Sequence, residues 1–191
     1  MQTIINPDDM NAVEAALSLK DELGCKVVAF TMGPPPAEGM LRELMAMGVD
    51  EGVLVTAREF GGSDTYATSQ IIAAAIDTYG IEKDDIILAG RQAIDGDTAQ
   101  VGPQVAEKLG LPQVTYAEEI LEVREGALVI KRRLEHGTEV VECPIPAVVT
   151  VNASAAECRP RNAKRVMKYK GALAGSEIAA APAAWVMALT L

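Results

Sequence analysis

The sequence predicts an α/β fold: a doubly wound, mainly parallel sheet with a β-hairpin insertion and a C-terminal arm. Three observations predict it. Short apolar runs alternate with segments of helical periodicity, each helical segment stops at a glycine, and from about Ile120 to Val151 the alternation gives way to strands alone. Continuous apolar strands separated by helices imply a parallel sheet covered on both faces. The 191 residues are a length for one domain or one domain with an appendage.

Asn6-Pro7-Asp8-Asp9 opens the first helix. Asn caps, Pro suits the first turn, and the two acids meet the positive end of the dipole. Met10, Val13, Leu17 and Leu23 recur near helical spacing until Gly24. Residues 26–31 then read as a buried strand. A helix over 37–47 stops before Gly48, and residues 53–55 form a short strand. A helix over 64–79 stops before Gly80, and residues 85–89 form the next strand. A helix over 98–109 stops before Gly110, and residues 113–116 follow as a strand. The strands 121–124 and 128–132 flank Glu125-Gly126, a further turn sits at His136-Gly137, and residues 147–151 return to the sheet. The expected division is therefore a domain over 1–153, with the hairpin at about 120–143, and an arm over 154–191. A chain that opens on a helix and ends in an uncharged, Ala-rich tail with a lone Trp185 reads as a subunit or fragment that needs another surface.

Composition removes several function classes. Aromatic residues are 4% of the chain, too few for a base-stacking nucleic-acid platform. The net charge is −10, no apolar run is long enough to span a membrane, and the start MQTIINPDD has neither a basic nor an apolar leader region. Cys25, Cys143 and Cys158 lie far apart and fit a reducing cytoplasm rather than a disulfide framework or a Cys-rich zinc site. The one histidine, His136, excludes most His-based metal sites. Arg159, Arg161, Lys164, Arg165, Lys168 and Lys170 form a basic run without an acid. It reads either as a solvated helix face or as an arm that docks on an acidic surface.

Chemistry is concentrated in residues 89–103, Ala-Gly-Arg-Gln-Ala-Ile-Asp-Gly-Asp-Thr-Ala-Gln-Val-Gly-Pro. The stretch follows a parallel strand and enters a helix, where ligands of open α/β sheets bind and where a helix N-terminus suits a phosphate. Gly90, Gly96 and Gly102 permit close backbone approach, and Thr98 and Gln100 are polar. The plain reading is an ordinary strand-to-helix loop with turn glycines; the sharper one is an anion or nucleotide site. The loops 31–36 and 61–69 end on the same sheet edge. Asp95 and Asp97 also suggest a Mg²⁺-dependent phosphoryl-transfer pair of haloacid dehalogenase type, but that chemistry wants its first aspartate directly at the strand end.

At these residues the chain resembles the β subunit of electron transfer flavoproteins. GRQAIDGDTAQVGPQVAEKLGLPQVTYAEE, NPDDMNAVEAAL, the TMGPP loop, the GGSDTYATS loop and CPIPAVVTV occur in the family's order, over about residues 4–170. The resemblance implies a Rossmann-like domain related to adenine-nucleotide hydrolases and universal stress proteins. It also implies a bound adenine nucleotide and a heterodimer with an α subunit that holds a redox-active FAD. In one branch the β subunit holds AMP, in the other a second FAD that takes hydride from NADH and bifurcates the electrons. The loops 64–69 and 95–100 are closer to the FAD branch. Partners implied are the α subunit, an acyl-CoA dehydrogenase-type protein, and ferredoxin or flavodoxin. AMP is the alternative cofactor, and an ATP-binding stress-type module is a further reading of the same fold.

By motif position, the resemblance puts Asn6, Asp9 and Met32 near the adenosine. Asp97, Thr98, Ala99, Gln100, Val101, Gly102 and Pro103 wrap the phosphates, with main-chain amides from Thr98 to Gly102. Arg91 and Gln92 sit beside the flavin or diphosphate, and Asp64, Thr65 and Thr68 belong to the isoalloxazine and NADH region. No residue is required as an acid or base, and no metal ligand is implied. The family's opening strand, its Lys-Gln-Val-Pro loop and the Ser-Pro-Thr motif of its arm have no counterpart in the sequence, and its partner-recognition loop is matched only in part near 154–164.

Overall fold

The computed structural model describes residues 4–170 and the strand at 186–189. The Ala-rich tail before that strand, with Trp185, lies outside the described residues. The elements run α1 (Pro7–Leu23), β1 (Val28–Met32), α2 (Glu38–Met47), β2 (Glu51–Val55), α3 (Thr65–Tyr79), β3 (Ile86–Gly90) and α4 (Val101–Leu109), and then β4 (Gln113–Arg124), β5 (Ala127–Leu134), β6 (Gly137–Pro144), β7 (Ala147–Val151), α5 (Ala163–Tyr169) and β8 (Val186–Leu189). The strands that alternate with helices all pair in parallel, as the α/β class requires, and they lie in two ladders, β1–β2 and β3–β7–β4. Antiparallel pairing is confined to the hairpin strands and β8. Among the described residues no helix is long and apolar enough to cross a membrane.

The chain divides into two compact units. Of the described residues, the first takes Ile4, Leu17–Asp64, residues 159–170 and Val186–Leu189. Its β1 and β2 align Val28 with Glu51 and Met32 with Val55. Leu41, Leu44 and Met45 of α2 are buried, and Gly52 of β2 leaves room for Leu41, whose Cβ would stand 3.0 Å from a side chain there. Burying each such apolar side chain contributes about 1.5–3 kcal/mol.

α5 packs on α2 and consumes much of the basic run. Asn162 caps α5 by accepting from the N–H groups of Lys164 and Arg165, and its own N–H donates to Ala46 O at 3.0 Å. Arg165 donates to Met47 O at 3.2 Å, Arg161 pairs with Glu43 at 3.3 Å, and Arg159 pairs with Asp21 at 2.6 Å. The run is therefore neither a free arm nor a uniformly solvated face: its three arginines are tied into this unit. Their planar forks suit carbonyl and carboxylate partners better than the lysine ammoniums do.

The second unit, Ile5–Ala16 with Thr65–Cys158, is built on a five-stranded sheet in the order β3-β7-β4-β5-β6. All five residues of β7 are buried, as expected of a central strand covered on both faces. Val114, Ala117, Leu128, Ile130, Cys143, Ala147 and Val149 form its core. The strands expected at 113–116 and 121–124 are one twelve-residue strand, β4. Its break in pattern is a bulge. Tyr116 takes φ +60°, its N–H donates to Thr150 Oγ1 at 3.2 Å, and the register shifts between Val114 and Ala117. A bulge bends a strand without ending it, so β4 pairs with β7 first and β5 afterwards. The turn at Glu125-Gly126 stands as read, whereas the second turn is Glu135-His136, one residue earlier than read, with Gly137 opening β6.

Candidate functional site

The site grows from the end of β3 in the second unit. Gly90 is the last residue of that strand, and a β-carbon there would stand 2.6 Å from Asp8 C, Asp9 N and Asp9 Oδ1. Only glycine lets the first turn of α1 rest on the strand end. Gly90 N–H donates to Asp9 Oδ1 at 2.6 Å. Asn6 Nδ2 donates to Asp9 Oδ2 at 3.0 Å and to Gln92 O at 2.8 Å, while Asn6 Oδ1 is buried with no partner. Burial pushes the Asp9 carboxyl above its ordinary value, the hydrogen bonds from Asn6 and Gly90 oppose this, and the neighbouring Asp8 carboxylate adds to it.

Next along the loop, Arg91 N–H donates to Val151 O at 2.9 Å, extending the β3–β7 ladder by one bond. Arg91 Nε donates to Asp8 Oδ2 at 3.2 Å, and Gln92 Nε2 donates to Asp97 Oδ1 at 2.7 Å. The helix expected from Thr98 begins only at Val101, because Asp97 (φ +49°) and Ala99 (φ +53°) are left-handed and cannot belong to an α-helix. Ala99 is followed by Gln100 in the right-handed region. Such a left–right succession turns consecutive N–H groups to one side and makes a concave anion seat. Among the described residues, the N–H groups of Thr98, Ala99 and Gln100 meet no protein acceptor.

The start of α3 is pinned to the same loop. Thr65 Oγ1 donates to Gln100 Oε1 at 3.0 Å, and one turn on, the single hydroxyl proton of Ser69 is shared between Tyr66 O at 2.8 Å and Gln104 Oε1 at 3.1 Å. Gly102, in the first turn of α4, lies directly on Thr150 of β7. Gly90 and Gly102 thus serve packing between elements of the protein, whereas a β-carbon on Gly96 would make only an ordinary contact, 3.9 Å from Thr98 Cγ2. Val101 and Pro103 complete the first turn of α4.

Of the sequence-predicted residues, this unit holds Asn6, Asp9, Thr65, Thr68, Arg91, Gln92 and Asp97–Pro103. Met32 and Asp64 belong to the other unit, Met32 as the last residue of β1 and Asp64 as an exposed residue before α3. Sequence reasoning missed Asp8, Ser69, Gln104 and Thr150. Asp8 reads as a dipole-complementing acid and Ser69 only as the end of the loop 61–69, yet Asp8, Ser69 and Thr150 are the buried polar side chains among the described residues. Asp95 is exposed in the turn well beyond the strand end, which is the wrong place for a phosphoryl-transfer nucleophile.

Comparison with known proteins gives the family. The electron transfer flavoprotein domain matches residues 1–174. The chain belongs to the electron transfer flavoprotein family. It is 64% identical over 151 residues to the acryloyl-CoA reductase electron transfer subunit gamma of Anaerotignum propionicum, covering 78% of this chain and 56% of that protein. It is 57% identical over 148 residues to the electron transfer flavoprotein subunit beta of Clostridium acetobutylicum, with the same coverage. A caffeyl-CoA reductase–Etf complex subunit of Acetobacterium woodii is 52% identical over 149 residues, again covering 78% and 56%. The chain is of the β-subunit type and spans just over half the length of these curated relatives. Flavin-dependent electron transfer is the family's chemistry.

Proposed function

We propose that the chain is the β subunit of a heterodimeric electron transfer flavoprotein and that its second unit binds FAD. One observation carries this reading: the run of unpartnered N–H groups at Thr98, Ala99 and Gln100, shaped by two left-handed non-glycine residues at the head of α4. Left-handed alanine or aspartate costs on the order of 1–2 kcal/mol, and the open N–H groups that this backbone leaves at a helix N-terminus are what a phosphate-binding site offers. The orphaned carbonyl oxygen of Asn6 supports an adenine nearby, since an exocyclic amine is the donor it lacks.

In this reading Asn6 and Asp9 face the adenosine, residues 97–103 hold the diphosphate, and Arg91 and Gln92 lie at the diphosphate–flavin junction. Thr65 and Thr68 take the isoalloxazine positions that the family resemblance assigns them. The bound flavin supplies two-electron acceptance and one-electron release. The chain's own part is to orient it through backbone N–H groups, to neutralise negative charge with Arg91, and to hold the loop against α3 with the Thr65–Gln100 and Ser69–Gln104 links. With FAD held there, the heterodimer would take electrons from NADH and divide them by bifurcation between ferredoxin or flavodoxin and an acyl-CoA dehydrogenase-type partner in the cytoplasm. The relatives from A. propionicum and A. woodii, named as subunits of an acryloyl-CoA and a caffeyl-CoA reductase system, support a partner that acts on a CoA thioester.

The test is to purify the chain with its matching α subunit, denature the complex and identify released nucleotides by mass. Two FAD per heterodimer are expected. One FAD with one AMP would move the chain to the AMP-holding branch, and a chain that arrives empty would overturn the nucleotide reading.

A further inference from the structure

Asp8 is a carboxylate only 8% exposed, placed one residue before the predicted ligand-facing Asp9. Its side chain reaches Arg91 Nε at 3.2 Å. Arginine has five N–H donors, and this contact uses the one on Nε. Arg91 Nη1 and Nη2 meet no protein acceptor among the described residues. Both partners are anchored independently. The Asp8 backbone is locked where α1 rests on Gly90, and the Arg91 backbone is locked by its bond to Val151 O. A buried carboxylate gripping the inner nitrogen of a guanidinium, with the outer fork left open in the loop that also carries the unpartnered N–H groups of Thr98 to Gln100, is an orienting device rather than a surface ion pair.

We infer that Asp8 is a positioning residue: it holds Arg91 so that the two terminal guanidinium nitrogens stay turned to the phosphate oxygens of the bound nucleotide. This rests on the nucleotide reading above. It adds a residue that the motif resemblance does not assign, and it explains why a second acid stands beside Asp9. Without Asp8 the arginine keeps its charge but loses its aim. The loss then falls on ligands that carry phosphate and spares those that do not.

The experiment is a double-mutant cycle in the complex of the full chain with its α subunit. Dissociation constants for FAD, AMP and adenosine are measured by calorimetry for the wild type, Asp8→Asn, Arg91→Ala and the double variant. Asp8→Asn should weaken FAD and AMP by roughly tenfold, the scale of one charge-assisted hydrogen bond. Arg91→Ala should weaken them at least as much, the double variant should match Arg91→Ala alone, and adenosine should bind all four alike. Additive losses, or an equal loss for adenosine, would show that Asp8 is merely structural and overturn the inference. Should Asp8→Asn fail to assemble, Asp8→Glu serves instead: the longer carboxylate shifts the guanidinium, so weaker FAD and AMP binding with unchanged adenosine in the wild-type background, and no further loss in Arg91→Ala, is the expected pattern, and unchanged FAD affinity or a loss that persists in Arg91→Ala is the overturning one. A wild type that binds none of the three ligands would sink the nucleotide reading and this inference with it, whereas additive behaviour in a binding-competent wild type sinks the inference alone.

Discussion

Gly102 and Thr150 touch through bare backbone: a β-carbon on residue 102 would lie 2.5 Å from Thr150 Cγ2. This contact sets α4 against β7, and with it the height of the loop that precedes α4. Thr150 is buried, and its hydroxyl is already engaged by the N–H of Tyr116 at the bulge of β4, so it cannot swing aside freely.

Gly102→Ala should therefore destabilise the protein even though alanine is the better helix former. Overpacking of this kind costs about 1–3 kcal/mol. A lower melting temperature by calorimetry is the expected result. Gly96→Ala is the control, since the nearest atom to its β-carbon would be 3.9 Å away, and it should melt within about a degree or two of wild type.

Asn162→Ala should loosen α5. Its Oδ1 accepts from Lys164 N–H at 3.0 Å and Arg165 N–H at 3.3 Å, and loss of such a cap costs about 1 kcal/mol. The readout is faster amide hydrogen exchange confined to residues 163–169, with Asn162→Asp retaining protection.

Asp9 gives a pH signature. Burial raises its carboxyl above 3.8, so the folded chain holds this proton where the unfolded chain has released it. The stabilisation from the neutral form is complete below 3.8 and is lost as pH rises through the higher folded value. Urea denaturation of wild type and Asp9→Asn between pH 3 and 7 should show wild type losing ground to the variant as pH rises. A constant difference across that range would show that Asp9 titrates normally.

Asp50 behaves in the opposite sense. Burial alone would raise its carboxyl, but hydrogen bonds from Lys20 and the Val27 N–H outweigh burial and hold it below 3.8. Its stabilising contribution is present above 3.8 and is lost as pH falls through the lower folded value. Lys20→Met should flatten this acid loss, measured by the same urea titration.

Much of the architecture was legible in the order of residues. Every helix stop predicted at a glycine coincides with a helix end, because Gly24, Gly48, Gly80 and Gly110 take positive φ, which other residues adopt only with strain. The strands of β1, β2, β3 and β7 were visible as apolar runs, and the family was readable from the ordered motifs. Local conformation and covering of both sheet faces are properties of short windows, and so a single sequence determines them. Tertiary structure alone decided the rest. That β7 lies between β3 and β4, that Tyr116 bends β4 instead of ending it, and that helix α4 waits until Val101 all depend on atoms distant in the chain. The same holds for Asp8, which the sequence shows as one more acid in a first turn. It becomes the holder of Arg91 only because Gly90, eighty-odd positions later, lets two backbones close to a separation that no side chain would allow.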